Sequence, residues 1–142
     1  MRLSLILLGV CFLVACAPPP DDETQIRGQL DILLQAARDR QVEPLMAILA
    51  DDFSGKGREP VNRQAVRQFL AYHFLRNPNV HVLASNLNLD ILPPTAKVSL
   101  EVAVAGGSGV MPERGQIYHL QTEWQKRSEG WRLTRAEWTA RL

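Results

Sequence analysis

Apolar positions along this chain follow three successive rules. Leu3 to Leu13 is apolar apart from Ser4 and Gly9. From Thr24 to Arg40 apolar residues return at helical spacing, with Ile26, Leu30, Leu33, Leu34 and Ala37 on one face and Arg27, Asp31, Gln35 and Arg38 on the other. Asp22 followed by Gln25 has the spacing of a capping box for this helix. A second, shorter helix is predicted from Pro44, which a first turn tolerates, with Leu45, Ile48 and Leu49 as its stripe and a stop near Asp51-Asp52. The stretch FSGKGREPVN, Phe53 to Asn62, is turn-rich with room for one short strand at its start. Asn62 then reads as the N-cap of a third helix, with Val61 and Val66 as a staple and Val66, Phe69, Leu70 and Phe74 as its apolar side. Asn77-Pro78-Asn79 ends it.

After Asn79 the period changes to two. Val80 to Ile91 predicts a strand closed by Pro93-Pro94, and Thr95 to Ala105 alternates Val98, Leu100, Val102 and Val104 against Lys97, Ser99 and Glu101. Gly106 to Gly115 reads as a flexible connection. Gln116 to Lys126 places Tyr118, Leu120, Thr122 and Trp124 on one face, and Glu129-Gly130 turns the chain into Trp131 to Ala140. That last strand breaks phase: Trp131 and Leu133 share one face, Ala136 and Trp138 the other. A bulge near Thr134-Arg135 would bring all four together.

Arg2 before the first apolar run gives the layout of a secretory signal, in a segment too short to span a bilayer as a mature helix. Leu13-Val14-Ala15-Cys16 resembles the bacterial lipobox, which implies cleavage after residue 15 and lipidation of Cys16. Several acyl chains at about 0.8 kcal/mol per buried CH₂ give a stable bilayer anchor. Residues 16–23 are then a tether, whose Pro18-Pro19-Pro20 and three acids favour an extended spacer. Ala17 after the cysteine implies, by resemblance to enterobacterial sorting, the outer membrane with the domain facing the periplasm.

Removing residues 1–15 takes away Arg2 and Cys11, so basic and acidic side chains become equal in number and Cys16 is the one cysteine left. No intrachain disulfide is then available. Without a clustered basic excess or aromatic–basic interleaving, nothing points to nucleic acid. His73, His81 and His119 lack zinc-site spacing, and SGKGRE lacks that of a phosphate loop, so no metal or cofactor is expected. The length of residues 24–142 suits one domain.

The order of these elements resembles the nuclear transport factor 2-like (cystatin-like) superfamily, which includes steroid isomerase and polyketide cyclase branches. The resemblance rests on LMAILADDFSG, REPVNRQAVRQFL and YHLQTEWQKRSEGWRLTRAEW. It implies an α+β fold in which three N-terminal helices pack in a strongly curved, cone-shaped antiparallel sheet, with a pocket inside and homodimers through the outer face. In the isomerase branch a base aspartate follows the Asp-Asp pair; that position falls at about Gly57 here, and no Asp occurs between Phe53 and Asn79.

The candidate ligand-binding residues are Tyr72, His73, Tyr118, Trp124 and Trp138, with His73 also the candidate general base, since imidazole titrates near neutrality. Asp51 and Asp52 have the chemistry of an acid/base pair, but solvated loop carboxylates fit their position better. Three functions follow. The first is a non-enzymatic, membrane-anchored binding module for a small apolar molecule or an envelope protein partner. The second is an isomerase, cyclase or hydratase acting on a hydrophobic substrate. The third is a structural subunit that uses its outer sheet face.

Overall fold

The computed structural model describes residues 16–107 and 114–141; the signal segment, residues 1–15, and most of the Gly106–Gly115 connection lie outside the described residues. Helix α1 spans Asp22–Arg38. It starts ahead of the expected Thr24 because Asp21, rather than Asp22, is the N-cap: its carboxylate accepts the Thr24 N–H at 2.8 Å. That bond holds the Asp21 carboxyl below its ordinary pKa. Helix α2, Val42–Ile48, carries Pro44 in its first turn, and α3, Arg63–Arg76, is capped by Asn62, whose side chain accepts the Ala65 N–H at 2.8 Å.

Two short strands, β1 (Leu49–Lys56) and β2 (Pro60–Asn62), separate α2 from α3. Four long ones follow: β3 (Asn79–Leu92), β4 (Thr95–Gly107), β5 (Arg114–Arg127) and β6 (Gly130–Arg141). The sheet order is β2-β1-β6-β5-β4-β3. This corrects the expected fold in two respects. The three helices do not form an uninterrupted N-terminal group, and the sheet is mixed rather than antiparallel, because β1 runs parallel to β6 with Gly55 opposite Ala136. The physical reason lies in Leu49, Ala50 and Phe53. A helix continued to Asp51-Asp52 would leave Phe53 in a loop; as a strand beside β6 the segment buries all three apolar residues and keeps Asp51 and Asp52 in solvent. The α+β class stands.

β6 contains the expected bulge. Leu133 pairs with Trp124 and Arg135 with Glu123, leaving Thr134 as the extra residue, its hydroxyl donating to the Glu123 carbonyl at 3.1 Å. Trp131, Leu133 and Ala136 are consequently buried on one face, and Trp138 packs against the same core. A second irregularity, between Ser85 and Asn88 in β3, places Asn86 at φ 52° and lets its amide donate to Glu101 at 2.8 Å.

α1 crosses the inner sheet face from β6 to β3. Gln29 donates to the Trp131 carbonyl at 3.3 Å near one end, and Arg38 to the Val82 carbonyl at 2.9 Å at the other. Ile26 and Leu30 enter the core between them. The first turn is fastened by Asp22, which accepts from Lys126 Nζ at 2.7 Å and Trp131 Nε1 at 2.9 Å. These two donors, Lys126 foremost, hold the Asp22 carboxyl below its ordinary pKa. A lowered folded-state pKa contributes stability that is present above the unfolded value, about 3.9, and lost as pH falls through the folded one. Asp22→Asn is therefore expected to lower the urea midpoint at pH 7, with the difference from the parent protein closing as the titration is carried below pH 4. A midpoint difference that persists unchanged at pH 2 would show that the Asp22 charge does not fasten α1.

Candidate functional site

Burial on the inner face falls from one end of the strands to the other. On β5, Trp124 and Thr122 are buried while Leu120 and Tyr118 are half-buried; on β4, Ala96 through Val102 are buried at alternate positions and Val104 is half-buried. On β6 the sequence is Trp131, Leu133 and Ala136 buried, then Trp138 half-buried. The cause is the placement of the helices. α1 lies across the deep rows, whereas α3 packs on α2, β1 and β2. Register aligns Leu120 with Trp138, and Val102 with Tyr118. Tyr118, Leu120, Trp138 and Val104, with Val66 and Leu70 of α3 packed against the same core, form the less covered end of the inner face. This is the candidate site.

Trp138 is seated in a slot made by two glycines. A Cβ on Gly55 would lie 2.9 Å from Trp138 Cζ3, and one on Gly57 only 2.5 Å from Trp138 Nε1. Real side chains do not approach that closely, so only glycine allows the indole to lie against β1. Gly55 lies in β1 and Gly57 just beyond its end, and two glycines this close in sequence are a readable signal of close approach. The turn-rich reading of FSGKG passed over it. Among the described residues, no hydrogen-bond partner meets the Trp138 indole N–H.

The other predicted residues are dispersed. Trp124 is 1 % exposed, and its N–H donates to Thr122 Oγ1 at 2.9 Å, which in turn donates to the Val98 carbonyl at 2.8 Å. That closed chain makes Trp124 a wall of the deep core. Tyr118 is half-buried on the inner face. Tyr72 and His73 are exposed on α3. The His73 ring centroid is 4.1 Å from that of Phe69 and 5.2 Å from that of Tyr72, and no described side chain hydrogen-bonds the imidazole. Phe69, expected on the apolar side of α3, is exposed as well. Cys16 is exposed at the start of the described chain. Asp51 and Asp52 are exposed on β1, and Asp52 pairs with Arg127 at 2.8 Å.

A groove of about 410 Å³ lies on the opposite, outer face of the sheet. It is crossed by Asp90, Lys97, Glu123 and Arg135, which stand in register on β3 to β6 with alternating sign. Among the described residues, no group of three or more His, Cys, Asp or Glu side chains could hold a metal ion, and no helix is long and apolar enough to cross a membrane.

No protein-family model matches the chain, and no curated protein sequence does. Solved structures do. A nuclear transport factor 2-like protein from Cytophaga hutchinsonii superposes with a TM-score of 0.74 at 18% identity, over 86% of this chain and 100% of that one. The fold is nuclear transport factor 2-like. A cystatin-like-fold protein of unknown function from Nostoc punctiforme gives 0.69 at 14% identity, over 84% of this chain and 91% of its own. A proposed scytalone dehydratase from Novosphingobium aromaticivorans gives 0.71 at 16% identity, over 84% of each chain. At such identities the nuclear transport factor 2-like likeness is one of fold. Gly57, the position the resemblance set against an isomerase-branch base, has no room for a side chain, because the Trp138 indole takes up that space.

Two substitutions check this geometry. Trp124→Ala is expected to cost about 3–5 kcal/mol in urea unfolding, as deletion of a fully buried aromatic does. Gly57→Ala is expected to displace the indole, red-shifting tryptophan emission and costing about 1–3 kcal/mol by overpacking. The penalty should largely vanish in a Trp138→Ala background. An additive double-mutant cycle would mean that the two residues do not touch.

Proposed function

We propose that the chain is a non-enzymatic binding module that takes a small, uncharged apolar molecule at the less covered end of its inner face, and that a lipid on Cys16 holds it to the membrane. Tyr118, Leu120 and Trp138 supply the apolar surface, and the free Trp138 N–H supplies a single donor. The observation that carries this reading is the occupied space at Gly57: the position at which the isomerase branch would carry its base is filled by an indole, which favours apolar contact over proton abstraction. The nuclear transport factor 2-like fold and the dehydratase description of one neighbour support a small-molecule site in general. A dehydratase-type or isomerase-type reading would have to use His73, whose ring contacts are Phe69 and Tyr72 rather than an orienting carboxylate.

In this reading residues 1–15 are a signal, the tether is residues 16–20 because residues 21–23 of the expected spacer belong to the start of α1, and the domain stands on the periplasmic side of the outer membrane. The full chain, purified from membranes in a mild detergent, is expected to carry an apolar small molecule in native mass spectra. Trp138→Ala should lose it while keeping the parent fold, and Cys16→Ser should move the protein to the soluble fraction with its ligand retained. Retention by Trp138→Ala would remove the proposed site, whereas turnover that disappears with His73→Ala would establish the enzymatic reading instead.

A further inference from the structure

The least explained surface of the molecule is α3. No residue of this helix is fully buried. Phe69, Tyr72 and Leu75, spaced three apart, are 59%, 52% and 86% exposed. They are not scattered singles. His73 lies against both Phe69 and Tyr72, and the Arg76 guanidinium sits 4.7 Å above the Tyr72 ring, so the stripe is packed within itself before anything covers it. Beside it runs an apolar groove of about 420 Å³ between α3 and the start of α2, lined by Val42, Ala71, Phe74 and Leu75 with Asp39 and Arg40 at its rim. Leu75 belongs to both stripe and groove.

Charge selects the occupant. α3 contains Arg63, Arg67, His73 and Arg76 and no acidic residue. Arg67 is neutralised by Glu43, and Arg63 donates to the Met46 carbonyl at 2.9 Å. Arg76 and Arg40 have no carboxylate partner among the described residues; Arg40, at φ 55°, is turned so that its guanidinium reaches the Phe74 carbonyl at 3.4 Å. Asp39, the one acid at the groove, already accepts from Gln35 at 2.9 Å. The apolar stripe is therefore flanked by two cations without a carboxylate partner and by one carboxylate, a rim of net positive charge.

A second copy fits less well, because a two-fold contact would bring together two patches of net positive charge. A bilayer fits poorly too. On the anchor reading proposed above, on which this step rests, the tether enters at the N-terminus of α1, and the groove lies at that helix's other end, about 25 Å away for 17 residues. We propose that the α3 stripe and its groove dock an acidic, aliphatic- or aromatic-bearing segment of another protein. Leu75 and Phe74 would receive its apolar side chains, and Arg40 and Arg76 its carboxylates. This interaction is separate from the inner-face ligand and stands whether or not that ligand exists.

The test uses the full chain in detergent and two fluorescent peptides that share the same leucine and phenylalanine positions, one with glutamates and one with lysines between them. Anisotropy is expected to show at least about tenfold tighter binding of the glutamate peptide. The Arg40→Glu/Arg76→Glu pair should reverse the preference, and Leu75→Asp, at a position too exposed to matter for folding, should abolish binding of both. Equal binding of the two peptides, or binding untouched by Leu75→Asp, overturns the proposal. So does a parent chain that dimerises in sedimentation and becomes monomeric on Leu75→Asp, since the stripe would then meet a second copy. Phosphatidylcholine/phosphatidylglycerol vesicles that bind the Cys16→Ser protein through Leu75 would overturn it in favour of a lipid surface.

Discussion

One extra residue in the last strand decides how this domain is built. Without the bulge at Thr134, the phase set by Trp131 and Leu133 would carry Arg135 and Glu137 into the core and turn Ala136 and Trp138 outward. Burying two charged side chains would cost several kcal/mol, far more than the one ladder pair the bulge gives up. The Thr134 hydroxyl, by reaching the Glu123 carbonyl, recovers part of even that loss. With the phase corrected, Ala136 supports the parallel strand β1 and Trp138 swings over it. The slot of Gly55 and Gly57 has a purpose only because the bulge aims an indole into it.

The two ends of the inner face are closed and open for separate reasons. At the closed end, polar groups are paired off in short chains: Trp124 through Thr122 to Val98, and Trp131 with Lys126 on Asp22. Each satisfies a donor that would otherwise be stranded in an apolar interior, and the second seats α1 on the sheet. At the other end, α3 is drawn aside onto β1, β2 and α2, so Tyr118, Leu120 and Trp138 keep part of their surface. Beside Gly57 the volume is aromatic, filled by the Trp138 indole.

Local pattern carried much of this. The Asn62 cap, the strands from β3 to β6 and the bulge could all be read from period and phase, because each depends on neighbours within a few residues. Of β1 only a short strand from Phe53 could be read. Gly55 and Gly57 resemble turn residues, and the stabilising partner of β1 is β6, far along the chain, so nothing nearby in sequence announces a parallel pairing. Depth was equally hidden. Trp124 and Trp138 share one face of the sheet, and alternation assigns them the same role; only the path of α1 makes one a wall and leaves the other at a margin. On α3, helical spacing identified Val66 and Leu70 correctly but could not show that Phe69 and Tyr72 lie beyond the reach of the sheet.

The position of β6 has a further consequence for how the chain comes to be folded. The last of the described strands in chain order is central in the sheet, with β5 on one side and β1 on the other. The β1–β2 hairpin therefore has no ladder to join until β6 has emerged, and the contact that closes the sheet is also among the most distant in sequence. Such topologies form slowly, because the entropy of closing the long loop must be met before the pairing compensates for it. Until β6 is in place β1 and β5 each keep one edge unpaired, so completion of that single strand joins two otherwise separate pieces of sheet.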